Sequence, residues 1–397
     1  MKIVHTADWH LGKILHKQSL EPEITAFLDW LLSYMKNEEV DVLLIAGDIF
    51  DSSNPTNQAR KLYYNFLLNV SKLDVSVVII GGNHDSISHL DAAADLLEVL
   101  DIHVVGGMPD EYTDVIKVID KRSVKLGIAA IPYLRDRDLR SGTNTSIEER
   151  EKQLRLGNQK VYQEVFNFME AMENLDVTIA MGHLHINGST ESDSERKIII
   201  GNLHATQADR IINKYDYIAL GHIHRPQSFC DNKVVYSGSP IALSFSEYKD
   251  NKRVVLIECD GDNFTQSTVE VPVFRRLLRL KGTFDDIKMS IQNYQNTNEL
   301  PTFCEVLVEE QLYDFALLLK VRDYMRNLER DDIVIVQLRF NFETSPNRLP
   351  TMEPQKQIGD LKPIEVFEKK LQSTTFSKEE KEELLSSYKI LELLARE

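Results

Sequence analysis

Along the first ~270 residues one pattern recurs: a short apolar, β-rich run stops abruptly at polar residues. KIVHTADWHLG begins it at Lys2, followed by VDVLLIAGDIFD from Val40, VSVVIIGGNHD from Val75, DVTIAMGHLH from Asp176 and YDYIALGHIH from Tyr215. Between several of these runs the apolar spacing changes to three and four residues, as in EITAFLDWLLSYMKNEE and NQARKLYYNFLLNVSKL, which predicts amphipathic helices. Strands alternating with helices predict an α/β core. In such folds ligands bind outside the carboxyl ends of the strands. Five strand ends are therefore expected to deliver their polar residues to one rim.

A second region begins near Phe274. FRRLLRLKG, CEVLVEE and DIVIVQLRFNF read as strands, with TFDDIKMSIQNY and DFALLLKVRDYMRNLE as helices between them. The expectation is a small βαβαβ domain over residues 273–345, after a first domain over 1–272. Residues 346–362 lie in a proline-rich polar stretch that reads as a linker, and 363–397 as a helical tail. A capping box, Ser377 with Glu380, opens the last helix. Leu384, Tyr388, Leu391 and Ala395 share one of its faces, which must be covered either by the chain itself or by a partner; the linker favours a partner, with Leu384, Leu391, Phe367 and Leu371 as anchors. The stretch RDRDLRSGTNTSIEEREKQLRLGNQ, over 135–159, is an insertion to which no chemistry is assigned, its mixed charges being expected to form a solvated face.

Composition narrows the chemistry. The three cysteines, Cys230, Cys259 and Cys304, form no close pair, so neither a disulfide framework nor a zinc–thiolate site is expected. MKIVHTADWH passes directly into a strand, without the apolar core of a signal peptide, and no apolar run approaches the ~20 residues of a membrane span. A reducing cytoplasm fits. The formal net charge of −16 argues against strong binding to nucleic acid by this chain alone. No G-x-x-x-x-G-K-[ST] segment is present, so ATP hydrolysis is not expected of it.

The five strand ends contribute Asp8 and His10, Asp48, the trio Asn83, His84 and Asp85, then His183, and finally His222 and His224. Carboxylate, imidazole and amide together suit divalent ions such as Mn2+. Glycines beside them, Gly47, Gly81, Gly82, Gly182 and Gly221, permit tight turns. Strand periodicity would point Asp8 and His10 to one face, and His222 with His224 likewise if the strand continues that far. His5, His16, His89, His103 and His204 are read as ordinary core or surface histidines, and His185 as a neighbour of the site rather than a ligand.

The series D-x-H, G-D-x-x-D, G-N-H-D, a lone histidine and G-H-x-H resembles the calcineurin-like metallophosphoesterases, and is complete across roughly residues 1–245. The resemblance implies a β-sandwich flanked by helices and two adjacent metal ions. Asp8, His10, Asp48 and His224 would hold one, and Asp48, Asn83, His183 and His222 the other, with Asp48 shared. His84 would be the catalytic imidazole and Asp85 its orienting carboxylate. HTADWHLGK, GDIFDSSNP and GSPIALSFSE are closer still to the nuclease subunits of bacterial double-strand-break repair complexes. That resemblance implies a small α+β capping domain, a partner-binding tail, a coiled-coil ATPase partner, DNA ends and hairpins as substrates, and self-association as a dimer. Lys13, Lys17, Arg135, Arg137 and Arg225 lie near the motifs and are candidate phosphate contacts. A phosphodiesterase for small phosphoesters, or a DNA-end-binding subunit with a silent metal site, are the competing readings. Substrate preference and turnover separate them.

Overall fold

The computed structural model describes residues 1–139, 147–195, 215–260 and 263–344, and beyond these Leu371, Ser377, Lys381, Leu384, Leu385 and Tyr388. The described parts of Met1–Leu280, Ser290–Val306 and Glu329–Leu338 form one compact unit, and those of Lys281–Met289, Leu307–Leu328 and Arg339–Glu397 a second.

Two six-stranded mixed sheets build the first unit. The strands are β1 (Lys2–Thr6), β2 (Val42–Ala46), β3 (Ser76–Ile80), β4 (Ile102–Val105), β5 (Ile116–Lys121) and β6 (Val124–Ala130). Then come β7 (Val177–His183), β8 (Tyr217–Gly221), β9 (Gln227–Phe229), β10 (Val234–Tyr236), β11 (Arg253–Asp260) and β12 (Asn263–Glu270). One sheet runs β12-β11-β1-β2-β3-β4, the other β9-β10-β8-β7-β6-β5. Pairing is parallel through β1, β2, β3 and β4 and through β10, β8, β7 and β6, and antiparallel at the outer strands. The parallel segments deliver all five motif loops to the same end.

Each central strand is buried on both faces, which explains its unbroken apolar run. Alternate residues serve different cores. Val42, Leu44 and Ala46 of β2 pack with Ile179, Met181, Tyr217 and Ala219 of the other sheet. Leu43 and Ile45 pack instead against α1 (Glu21–Asn37) and α2 (Asn57–Val70), on Phe27, Leu31, Tyr63 and Phe66. Sequence also sets the helix ends. Proline sits in the first turn of α1, where its missing N–H costs no bond. The Thr56 hydroxyl caps α2 by accepting from Ala59 N at 3.1 Å.

The 135–159 stretch is not simply solvated. From Ile147 it begins α3 (Ile147–Glu170), in which Leu154 and Asn158 are buried. Further along, Val161, Tyr162, Val165 and Met169 join the core of the second sheet. The mixed charges hid an amphipathic helix whose apolar half lies mostly past the end of the charged window.

β13 (Leu277–Gly282), β14 (Thr302–Leu312) and β15 (Ile333–Thr344) form a third sheet in that order. With α4 (Phe284–Asn293) and α5 (Phe315–Arg326) between them in sequence, this is the expected βαβαβ arrangement. The proposed linker, Leu391 and most of the tail lie outside the described residues. Of the tail anchors that are described, Leu371 is buried and Leu384 exposed.

Candidate metal centre

The first motif loop leaves β1 at Thr6, and Asp8 and His10 both take left-handed backbone conformations, with φ of 54° and 47°. Strand alternation therefore does not aim them. A zipper between loops does: Asp8 N–H donates to Gly47 O, His10 N–H to Asp48 O and Leu11 N–H to Ile49 O, at 3.0, 3.0 and 2.9 Å. Between the two polar residues, Trp9 is fully buried, its Nε1–H on Thr6 Oγ1 and its ring edge-on to Phe27 and Phe66. Anchoring Trp9 under α1 and α2 turns Asp8 and His10 towards the rim. β8 likewise ends at Gly221, before His222, whose φ is 97°. Asp48 also sits at positive φ, 49°, after Gly47 at 87°.

Only Gly47 of the five flanking glycines needs this backbone freedom. The others are required by close approach. A Cβ on Gly221 would lie 1.9 Å from Ala46 O, so the two sheets touch here through backbone alone.

All seven candidate ligands converge. Ligand atoms of Asp8, His10 and His224 lie within 4.8 Å of one another, as do those of Asp48, His183 and His222. Asn83 Oδ1 is 3.0 Å from both His183 Nε2 and His222 Nδ1. Asp48 Oδ2 lies between the two groups, 3.5 Å from His10 Nε2 and 3.3 Å from His183 Nε2. Asp8 Oδ1 accepts the backbone N–H of His222 at 2.8 Å, while its Oδ2 is buried without a hydrogen-bond partner.

The donor set fits cations for a reason visible in the protons. His183 Nδ1 faces the carbonyl of Ala46 at 2.9 Å, which can only accept, so Nδ1 carries the proton. In the neutral ring Nε2 then turns a lone pair towards Asp48 Oδ2 and Asn83 Oδ1, also acceptors. His10 Nδ1 lies 3.2 Å from Asp51 Oδ1, and His10 Nε2 is 3.1 Å from His224 Nε2. Acceptors facing acceptors in a buried pocket require a positive charge among them, supplied by protons or by metal ions. These clusters have the composition and spacing of a dinuclear metal site.

Electrostatics agrees. Burial pushes the Asp8 carboxyl up to about 7, against the pull of His183. His183 rises to about 9: burial opposes its charge, but the Asp48 carboxylate beside it prevails. Asp48 falls well below its usual range because His183 and His10 outweigh its burial. Burial drives His222 down to about 3 and His224 well down. A divalent ion would thus replace the proton held at His183 and use the neutral rings as ligands.

His84 joins the same pocket, within ligand distance of His10 and Asp48, and its backbone N–H donates to Asp48 Oδ1 at 2.9 Å. Asp85 is not placed as expected. Its carboxylate accepts the backbone N–H groups of Ile49, Phe50 and Gly82, at 3.1, 3.0 and 2.9 Å, and so ties the Asp48 loop to the Asn83 loop. The His84 ring is oriented by the Asp51 carbonyl, 2.8 Å from Nδ1. Motif adjacency suggested the wrong partner, because neighbouring side chains on a turn diverge.

Sequence reasoning missed Asp51 at His10, although it is the second acid of G-D-x-x-D, and it missed Ser194 and Glu247 behind His224. His185 stays outside the ligand set, 3.1 Å from Glu191, with its ring 6.4 Å from that of His222. Of the candidate basic contacts, Lys13 pairs with Asp51 at 2.9 Å, Arg135 reaches the Asp85 carbonyl, and Arg225 bonds the Ser246 carbonyl. Lys17 is exposed, and the Arg137 side chain lies outside the described set.

Residues 1–226 match the family described as calcineurin-like phosphoesterase, and residues 273–375 that described as type 5 capsule protein repressor C-terminal domain. The chain belongs to the calcineurin-like metallophosphoesterases. Within them it is a member of the SbcD family of nuclease subunits. It is 32% identical over 384 residues to the SbcD subunit of nuclease SbcCD from Escherichia coli (strain K12), covering 94% of this chain and 92% of that one. The corresponding protein of Rhodobacter capsulatus is 36% identical over 272 residues, covering 66% of this chain and 67% of its own. That of Bacillus subtilis (strain 168) is 33% identical over 287 residues, covering 71% and 72%. Among the described residues, no helix is long and apolar enough to cross a membrane.

Proposed function

We propose that this chain is a Mn2+-dependent DNA nuclease subunit, cutting double-strand ends exonucleolytically and single strands or hairpins endonucleolytically. It would act in the cytoplasm with an SbcC-type coiled-coil ATPase in recombination and repair, and self-associate as a dimer. The observation that carries the reading is the buried pocket in which acceptors from five strand ends face one another beside His84.

In this reading Asp8, His10, Asp48 and His224 hold one ion, and Asp48, Asn83, His183 and His222 the other. Bound there, two divalent cations offset the phosphodiester charge and lower the pKa of a water from about 16 towards about 7. The chain's own groups do the rest. Asp48 shares its charge between both halves. The Asp51 carbonyl keeps a proton on His84 Nδ1, leaving Nε2 to meet the substrate. His84 gives a proton to the leaving oxygen only as imidazolium; burial disfavours that form and holds the ring's pKa below its usual value, and the neighbouring Asp48 charge restores it only in part. Asp85 holds the two motif loops in register.

The domain roles belong to the same reading. Residues 1–272 would be the nuclease domain, 273–345 a capping domain and 363–397 the ATPase-binding tail, joined by the 346–362 linker. A partner would also supply the basic surface that a chain of net charge −16 lacks. The test is a Mn2+-dependent assay on linear and hairpin DNA, with and without the ATPase. Cleavage of both substrates, extended by ATP when the partner is present, is the expected result. Turnover restricted to small phosphoesters would contradict it.

A further inference from the structure

His224 is gripped at three points. Its ring Nδ1 lies 2.6 Å from Ser194 Oγ, its backbone N–H donates to Glu195 Oε1 at 2.9 Å, and its carbonyl accepts from Lys252 Nζ at 3.0 Å. Behind Ser194 stands Glu247, whose side chain is fully buried. Glu247 Oε1 accepts from the hydroxyl of Ser194, with those of Ser192 and Ser244 at 3.0 and 3.1 Å. Its Oε2 accepts from Lys252 Nζ at 2.6 Å and from Leu243 N–H at 3.2 Å. Lys252 is itself buried and completes its bonds on Ser239 Oγ, at 2.9 Å.

The protons in this chain of contacts can be assigned. Paired with the Lys252 ammonium, Glu247 is a carboxylate and only accepts. The close contact of Ser194 Oγ with Glu247 Oε1 places the single hydroxyl proton of Ser194 between them, so Ser192 Oγ, 2.7 Å from Ser194 Oγ, takes no proton from it. The Ser194 oxygen then turns a lone pair to His224, so the ring proton must sit on Nδ1. Nε2 is left bare, and it is the atom that faces His10 across 3.1 Å.

We propose that Ser194, Glu247 and Lys252 form a positioning relay that fixes His224 as its Nδ1–H tautomer and presents Nε2 to a divalent cation. A ligating histidine is commonly oriented through its other nitrogen, and loss of that partner weakens metal binding about 10–100-fold. The relay assigns a purpose to the end of GSPIALSFSE, where Glu247 falls. It also gives one to Ser194, in the serine- and acid-rich segment STESDSE, where no motif marks it. Glu195 and Lys252, on the backbone N–H and carbonyl of His224, hold the residue while the relay holds the ring. The cation in this account rests on the two-ion reading above; the tautomer does not.

The test uses the full chain stripped of metal by chelation, with variants Ser194→Ala and Ser194→Thr. Glu247→Gln is less useful alone, because it leaves a buried ammonium uncompensated and endangers folding. Long-range 15N–1H spectra of the His224 ring report its tautomer, and calorimetric titration with Mn2+ reports affinity. The wild type is expected to show the Nδ1–H form. Ser194→Ala is expected to mix tautomers and weaken the affinity for one ion about 10–100-fold while its melting temperature changes little, and Ser194→Thr to restore both readouts. A purely structural serine would move the melting temperature instead. An Nε2–H wild-type ring, or a Ser194→Ala variant with unchanged tautomer and affinity, overturns the relay. If the wild type takes up no divalent cation, the two-ion reading fails while the spectra still decide the tautomer.

Discussion

His84 lies beside the ligands, yet its ring makes its bond to the Asp51 carbonyl, and this separates chemistry from metal binding. His84→Gln keeps a polar side chain of similar reach and leaves all seven proposed ligands in place. It should retain metal content and DNA affinity while turnover falls about 10²–10⁴-fold, read by elemental analysis, a binding titration and single-turnover cleavage. Loss of metal in this variant would make His84 a ligand instead. That these seven side chains share one pocket was legible at this scale, because each follows a buried strand run and their types suit one kind of ion. The geometry was not. Strand periodicity was invoked for Asp8 and His10, but both are left-handed turn residues, and only contacts between loops show what aims them. Asp85 illustrates the same gap: its partners are backbone groups 35 and 36 residues away, and Gly82 across its own turn.

Among the elements, Trp9 couples the site to the helical layer. It is fully buried between two proposed ligands, Asp8 and His10, and packs edge-on against Phe27 of α1 and Phe66 of α2. Trp9→Ala should cost about 3–5 kcal/mol of stability by leaving a cavity. It should also weaken Mn2+ binding, since the Trp9 ring packs the Asp8–His10 turn against the two helices. Thermal unfolding and a metal titration check the two effects separately; a destabilised variant with undiminished Mn2+ affinity would show that the loop zipper suffices. Strands ending in motifs were readable because their apolar runs are continuous. α3 was not, because its charged beginning and apolar continuation read as different things in short windows, and helical period emerges only across all 24 residues. The antiparallel outer strands β5, β9 and β12 carry weaker signals, since each is largely exposed on one side.

For the whole molecule, the account divides the chain into a part that cuts and a part that recruits. All proposed ligands precede residue 225. Deleting residues 360–397 should leave the Mn2+-dependent activity of the isolated chain largely intact and weaken co-purification with the ATPase. Undiminished assembly would remove the tail as the docking element. Unfolding of the truncated chain would instead support packing on its own chain, for which the buried Leu371 is the described anchor. The tail is where sequence served least: amphipathicity identifies a face that must be covered, not what covers it. The central claim is that two cations sharing Asp48 make this pocket a phosphodiesterase. It is tested most directly by counting Mn2+ bound per chain while following cleavage of linear DNA, in the wild type and in Asp48→Asn. The account predicts two ions and cleavage in the first, and reduced occupancy with no cleavage in the second. Two tightly held ions and full activity in Asp48→Asn would contradict it.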